Sequence, residues 1–164
     1  MLSNSRAAYR AHNHQRCIDA AMSRAHERCA ERRARLTPIR EAVLALIWQS
    51  HRPLGAYAIA DKLPPVNGKK VQAPSIYRAI DFLLELGLIH RLPSQNSYIG
   101  CPFPGNEHSD VFMVCRGCGS AAEVSADALN QIIADTSQRS GFLLESQCVE
   151  LTGLCLACRD GELP

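Results

Sequence analysis

The stretch "APSIYRAIDFLLELGLIHRLPSQNSYIGC", residues 73–101, decides the fold. Pro74 suits the first turn of a helix, where backbone N–H groups have no intrahelical partner, and Gly87 suits the stop. Ile76, Ile80, Leu83 and Leu84 recur at helical spacing and define an inward face. At about 100° per residue, Arg78 falls nearly opposite that stripe and Tyr77 lies on its flank. Beyond Gly87, two short strand-like runs surround a polar turn, which predicts a hairpin.

Working toward the N-terminus, "LTPIREAVLALIWQS", residues 36–50, places Thr37 as an N-cap and Pro38 at the first helical position. Leu36, Ile39, Val43, Leu44 and Ile47 form its apolar stripe. "GAYAIADKL", residues 55–63, predicts a short helix stopped by Pro64 and Pro65, and the polar loop "PPVNGKKVQ" follows. Further upstream, Ile18, Met22, Ala25 and Cys29 predict a helix over about residues 15–35, with arginines on its other faces. Residues 1–14 are expected to be a disordered tail. Three helices followed by a hairpin are the order of a winged helix-turn-helix, expected over residues 15–98. In that architecture the third of these helices enters the major groove and the hairpin is the wing.

Working toward the C-terminus, the charge changes sign. Residues 1–98 carry fifteen Lys/Arg and seven Asp/Glu, whereas residues 99–164 carry three and nine. The basic half suits a polyanionic partner, most commonly nucleic acid. Residues 99–109 are expected to be a hinge and residues 110–164 a small α/β domain, making the whole chain α+β. Within that domain "DVFMVC" and "AAEV" read as strands around the turn "VCRGCG". "SADALNQIIADTSQRSG", residues 125–141, reads as a helix capped by Ser125 with Leu129, Ile132 and Ile133 inward. "FLLESQCVELTG", residues 142–153, reads as one long strand leading to "GLCLAC".

Cys115, Cys118, Cys155 and Cys158 thus form two matched C-x-x-C knuckles. Four thiolates are the tetrahedral set of a closed structural zinc. The alternative is two independent redox pairs, which matched knuckles make less natural. Gly117, Gly119 and Gly153 allow the backbone to turn there. His90, Cys101, His108 and Glu123 are further acceptable zinc ligands by type. Taken singly they also read as a packed histidine, a small core residue and two solvent groups.

The longest clean apolar run, "AVLALIW" at residues 42–48, is far short of a membrane span. "MLSNSRAAYRAHNHQR" has no apolar core after its charges, so a secretory signal is not expected and the cytoplasm is the default. Eight cysteines there argue against a disulfide framework. An enzyme is the alternative of another class. The chain lacks the H-x-E of zinc deaminases, H-E-x-x-H and G-x-S-x-G, and a four-thiolate site leaves no open position for catalysis.

"SIYRAIDFLLELGLIHRL", the "NSYIGC" that follows, and both knuckles resemble the Fur family of metal-responsive repressors, over about residues 18–159. The resemblance is to the zinc uptake regulator branch, Zur. It implies a homodimer built by the C-terminal domain, a double-stranded DNA operator read by the N-terminal domain, and no small-molecule substrate beyond the metal. It also implies two zinc ions per chain. One is structural, on the four knuckle cysteines, and one is regulatory, on His90, Cys101, His108 and Glu123. Tyr77 and Arg78 begin the exposed face of the recognition helix and are expected in the groove, and Arg91, Lys69 and Lys70 are expected phosphate contacts by charge. For Tyr57 and Asp61 the resemblance implies a DNA contact and a dimer–dimer contact, where a plain reading is surface helix. Arg is the usual bidentate partner of guanine. The expected function is a repressor of zinc-uptake genes with zinc as corepressor. A family member answering to iron, nickel or peroxide is the alternative. The loop "GNEHSD" has one histidine where iron sensors carry a cluster, which argues against iron. For His12, His14, Cys17 and Cys29 the family offers no counterpart, and tail disorder and helix packing are the default expectation.

Overall fold

A computed structural model of the chain describes residues 7–9, 13–105 and 110–161. The backbone divides into two compact units, residues 11–106 and residues 107–164 with 1–10. The expected hinge at 99–109 thus contributes most of its length to the first unit.

The first unit runs α1 (His14–Glu31), α2 (Pro38–Trp48), β1 (Leu54–Gly55), α3 (Ala56–Lys62), α4 (Ala73–Glu85), β2 (Ile89–Leu92) and β3 (Ser97–Gly100). β1, β3 and β2 form an antiparallel sheet in that order. This is the winged helix that the sequence order predicts. The core joins Ala21, Ala25 and Cys29 of α1, Val43, Leu44, Ile47 and Trp48 of α2, Ile59 of α3, and Ile76, Ile80 and Leu83 of α4. Arg40 lays its guanidinium over the Phe82 ring, 3.4 Å from the centroid, and ties α2 to α4 on the outer side.

α4 ends as the sequence predicts. Gly87 takes a positive φ of 67°. The Leu88 N–H donates to the Leu83 carbonyl and the Gly87 N–H to that of Leu84, both at 2.9 Å. These two bonds satisfy carbonyls that the helix leaves open, in the Schellman arrangement. α1 ends in the same way but without glycine. Arg33 adopts φ 51°, and the Ala34 N–H reaches the Cys29 carbonyl at 2.8 Å. The helix therefore stops at Glu31, short of the expected residue 35.

The second unit contains β4 (Val111–Cys115), β5 (Ala121–Val124), α5 (Asp127–Arg139), β6 (Val149–Gly153) and α6 (Leu156–Arg159). β4 is central, antiparallel to β5 and parallel to β6, with α5 in the crossover. A 3-10 turn, Ala7–Tyr9, also belongs here, with the Tyr9 hydroxyl donating to the Met113 carbonyl at 2.7 Å. That turn lies within the stretch expected to be tail, whose residues 1–6 and 10–12 are outside the described residues.

Three local expectations need correction. Ala126, not Ser125, occupies the N-cap of α5, and no side chain caps it. Leu129 and Ile133 are half-buried, but Ile132 is exposed, and α5 buries no residue completely. The expected long strand shortens to Val149–Gly153. Its ladder begins where the Val149 N–H meets the Asp110 carbonyl at 2.9 Å, and residues 142–148 have no strand partner among the described residues.

Candidate metal centres and nucleic-acid interface

The knuckles are built by the strand ends of the second unit. Cys115 closes β4, and the chain turns back through Gly119, whose φ is 76°. The Gly119 N–H donates to the Cys115 carbonyl and the Cys115 N–H to that of Ser120, both at 2.8 Å. On the other side, Cys155 occupies the N-cap of α6 and Cys158 lies one turn on. A Cβ on Gly117 would sit 2.8 Å from the Cys158 sulfur, so this position needs glycine for close approach. Gly153 has open space around its Cα and lies in β6, so its role is ordinary strand.

The four sulfurs converge. Cys115 Sγ lies 3.4 Å from Cys158 Sγ, and Cys118 Sγ lies 4.0 Å from Cys155 Sγ. All four fall within 4.8 Å of one another. Zn–S bonds of about 2.3 Å in a tetrahedron require sulfurs about 3.8 Å apart. Four thiols at separations that bracket this value, with no disulfide among them, fit zinc with small side-chain rotations. Burial opposes ionisation of Cys115, but the Cys155 and Cys118 N–H groups, the Cys158 thiol and the Gly117 N–H outweigh it. They pull its pKa down to about 6, and the Cys155 N–H donates to its sulfur at 3.2 Å. Burial and the neighbouring sulfurs push the Cys158 thiol the other way. Burial, followed by the nearby cysteine sulfurs, also raises the Tyr9 pKa to about 12.

In the first unit, β2 pairs with β3 so that His90 faces Ile99. The next residue on that side of β3 is Cys101, whose N–H donates to the Leu88 carbonyl at 3.0 Å. His90 and Cys101 are therefore diagonal neighbours on one face of the wing, with ligating atoms within 4.8 Å. Cys101 is 2% exposed. In the second unit, Glu123 lies on β5 opposite Phe112 and is buried, which is uncommon for a carboxylate. His108 lies outside the described residues.

α4 carries the exposed residues that the sequence assigns to DNA. Its buried side is Ile76, Ala79, Ile80 and Leu83, which leaves Tyr77 44% exposed and Arg78 exposed. Tyr57 is 86% exposed on α3, and Asp61 lies one turn along the same face. Lys69 and Lys70 are exposed in the turn closed by the Val66–Lys69 bridge. Arg91 is exposed on the wing, and its guanidinium donates to Asn96 Oδ1 at 2.7 Å.

One cluster escaped sequence reading. His14, Cys17 and His51 place their ligating atoms within 4.8 Å of one another. The i, i+3 spacing of His14 and Cys17 was a visible signal, but nothing local announces His51. Cys29, by contrast, is a core residue at 4% exposure, in keeping with the expected helix packing.

Comparison with known proteins gives one consistent answer. Residues 31–152 match the ferric uptake regulator family. The chain is 35% identical over 142 residues to the zinc uptake regulation protein of Escherichia coli K12, covering 86% of this chain and 82% of that one. Among solved structures it is similar to a zinc uptake regulator complexed with zinc and DNA. The TM-score is 0.78 and the identity 32%, with 93% of this chain and 99% of that one covered. It is also similar to holo XcZur, at a TM-score of 0.76 and 34% identity, covering 86% and 99%.

Proposed function

Because the chain belongs to the ferric uptake regulator family, we propose that it is a zinc-responsive transcriptional repressor acting as a homodimer on double-stranded DNA. The observation that carries the zinc reading is the His90–Cys101 pair on the wing, a thiol and an imidazole on the same unit as the DNA-reading helix. A thiolate ligand suits zinc better than iron. The relative complexed with zinc and DNA supports the same reading.

In this reading Cys115, Cys118, Cys155 and Cys158 hold a structural zinc that stabilises the second unit. His90, Cys101, His108 and Glu123 hold a second, exchangeable zinc. The first two belong to the DNA-binding unit and the last two to the other. Bound zinc supplies a cationic centre that four ligands can share only when the two units adopt one mutual arrangement. The four side chains thus favour that arrangement through differential affinity, the only way a ligand shifts a population. In the dimer, two α4 helices then meet two half-sites of a near-palindromic operator. Tyr77 and Arg78 read bases, while Tyr57, Arg91, Lys69 and Lys70 meet the backbone. Asp61 is assigned to a contact between neighbouring dimers. Loss of the second zinc releases the operator, and the genes under control are those of zinc uptake.

Exposed apolar side chains of the second unit support the homodimer. Ile132, Phe142, Leu143, Leu151, Leu154 and Leu156 are all exposed in the second unit. Exposed apolar side chains in this number on a small domain suit an interaction surface, and Phe142 and Leu143 belong to a stretch with no ladder partner among the described residues. The relatives it matches are named as metal uptake regulation proteins, which favours a regulator over an enzyme. Among the described residues, no helix is long and apolar enough to cross a membrane.

The test starts with zinc-loaded protein selecting a duplex from a random library. Graded chelation is then followed by zinc content, sedimentation and duplex binding on the same samples. Binding should vanish once only the knuckle zinc, one per chain, remains, with dimer and helicity intact. Binding restored by iron(II) and not by zinc would reassign the signal to iron. Binding abolished by peroxide with both zinc ions retained would make Cys101 a redox sensor.

A further inference from the structure

His14, Cys17 and His51 lie in the DNA-binding unit and belong to neither zinc set above. His14 opens α1 and Cys17 follows one turn later, so both project from one side of the helix. Asn13 fixes that turn, its side chain accepting from the Gln15 N–H at 2.9 Å. His51 stands in the short turn after α2. The two imidazoles lie with centroids 5.3 Å apart and planes inclined at 49°. That disposition lets one nitrogen of each ring point to a shared centre without stacking. All three side chains are half-buried, so they are held in place yet open to an ion from solvent.

We propose that His14, Cys17 and His51 form a third zinc site, a clamp that fastens the start of α1 to the turn after α2. Two imidazoles and one thiolate are zinc ligands by type, and water completes the tetrahedron. The donor set contains no oxygen, so it selects against magnesium and calcium. Zinc needs these donors about 3.3–3.7 Å apart, reachable from within 4.8 Å by side-chain rotation alone. The site is weaker than the knuckle site, since it offers one thiolate rather than four and lies in the basic half of the chain. It rests on its own three residues and stands whether or not the wing and loop ligands form a regulatory site.

The neighbours of His51 give the clamp a readout. His51 meets Trp48 edge-on, with ring centroids 6.4 Å apart. Trp48 is the single tryptophan of the chain. Ordering His51 on a metal therefore changes the surroundings of the one indole.

The experiment uses the full-length protein already holding its tighter zinc ions. Zinc is then titrated, and alkylation of each cysteine is timed by peptide mass spectrometry alongside Trp48 fluorescence. Alkylation of Cys17 should slow by about tenfold or more as an additional zinc binds, because a metal-held thiolate is a poor nucleophile. The fluorescence should shift over the same range. His51→Ala, shown folded by circular dichroism, should abolish both responses and leave protection of Cys115, Cys118, Cys155 and Cys158 unchanged. Cobalt(II) in place of zinc should give thiolate charge-transfer absorption that Cys17→Ser diminishes. An unchanged Cys17 rate in the wild-type protein would overturn the site. So would protection that survives His51→Ala, since the helix pair alone would then account for it.

Discussion

Cys115 and Cys158 come from opposite ends of the second unit's sequence, yet their sulfurs lie 3.4 Å apart. The β4–β6 ladder draws these ends together, and α5 buries no residue completely. The core of this unit is small, so a closed metal site has much of its folding to carry. Cys158→Ser should lose the knuckle zinc and unfold the second unit. Zinc content and helicity measured together decide it. A variant keeping both its helicity and its full zinc complement would remove the structural role.

Arg78→Ala tests the assignment of the exposed face of α4. The side chain is exposed, next to Tyr77 and opposite Ile76 and Ile80 in helical phase. Its loss should weaken binding to the selected duplex by about 1–3 kcal/mol and relax preference at one base position per half-site. Equal loss on random DNA would make Arg78 a phosphate contact only.

The fold was legible where punctuation and periodicity agreed. Pro74, Gly87 and the stripe from Ile76 to Leu83 delimit α4 nearly to the residue. The end of α1 was not legible, because Arg33 takes the left-handed conformation that a sequence normally announces with glycine. The stretch 142–148 has strand-like composition, but a strand exists only with a ladder partner, and composition cannot supply one. The knuckles were legible because a tetrahedral thiolate site leaves a repeated spacing in the chain. His90, Cys101, His108 and Glu123 leave none. They could be grouped only through family resemblance, and the wing register accounts for two of them. His51 is remote in sequence from His14 and Cys17, so only the tertiary structure unites them.

Tyr9 gives a pH prediction. Burial, then the sulfurs of Cys115, Cys155 and Cys118, raise its pKa to about 12. A raised folded-state value means that the neutral phenol is favoured by folding. That contribution is fully present below the unfolded value of about 10 and is lost as pH rises through about 12. A phenolate titration should show Tyr9 ionising late. Tyr9→Phe should delete that late step. It should also cost about 0.5–1.5 kcal/mol at neutral pH, from the bond to the Met113 carbonyl. Four tyrosines ionising together would disprove the buried contact.

Gly100 is a position whose need for glycine comes from packing and not from φ. A Cβ there would run into the indole ring of Trp48. Gly100→Ala should destabilise the zinc-loaded protein by about 1–3 kcal/mol through overpacking. Urea unfolding followed by Trp48 fluorescence measures this at the affected contact. An unchanged midpoint would mean that the indole has room to move.

The last prediction separates a sensor from a protein that merely contains zinc. The knuckle site is all thiolate and lies wholly within one unit. The proposed regulatory site is mixed, and its ligands are divided between the units, so part of its binding energy is spent on holding them in one arrangement. It should therefore bind zinc more weakly than the knuckles and yield it to a chelator before they do. Cys101→Ser removes one of its ligands while leaving a small side chain at a site that is 2% exposed. The variant should remain folded and dimeric and keep the knuckle zinc. It should fail to bind the selected duplex at zinc levels that saturate the wild-type protein. Excess zinc should restore part of the binding, because mass action offsets a weakened site. Zinc stoichiometry, sedimentation and duplex binding on the same samples distinguish the cases. A Cys101→Ser protein that has lost the regulatory zinc yet binds its duplex normally would show that repression does not run through this site.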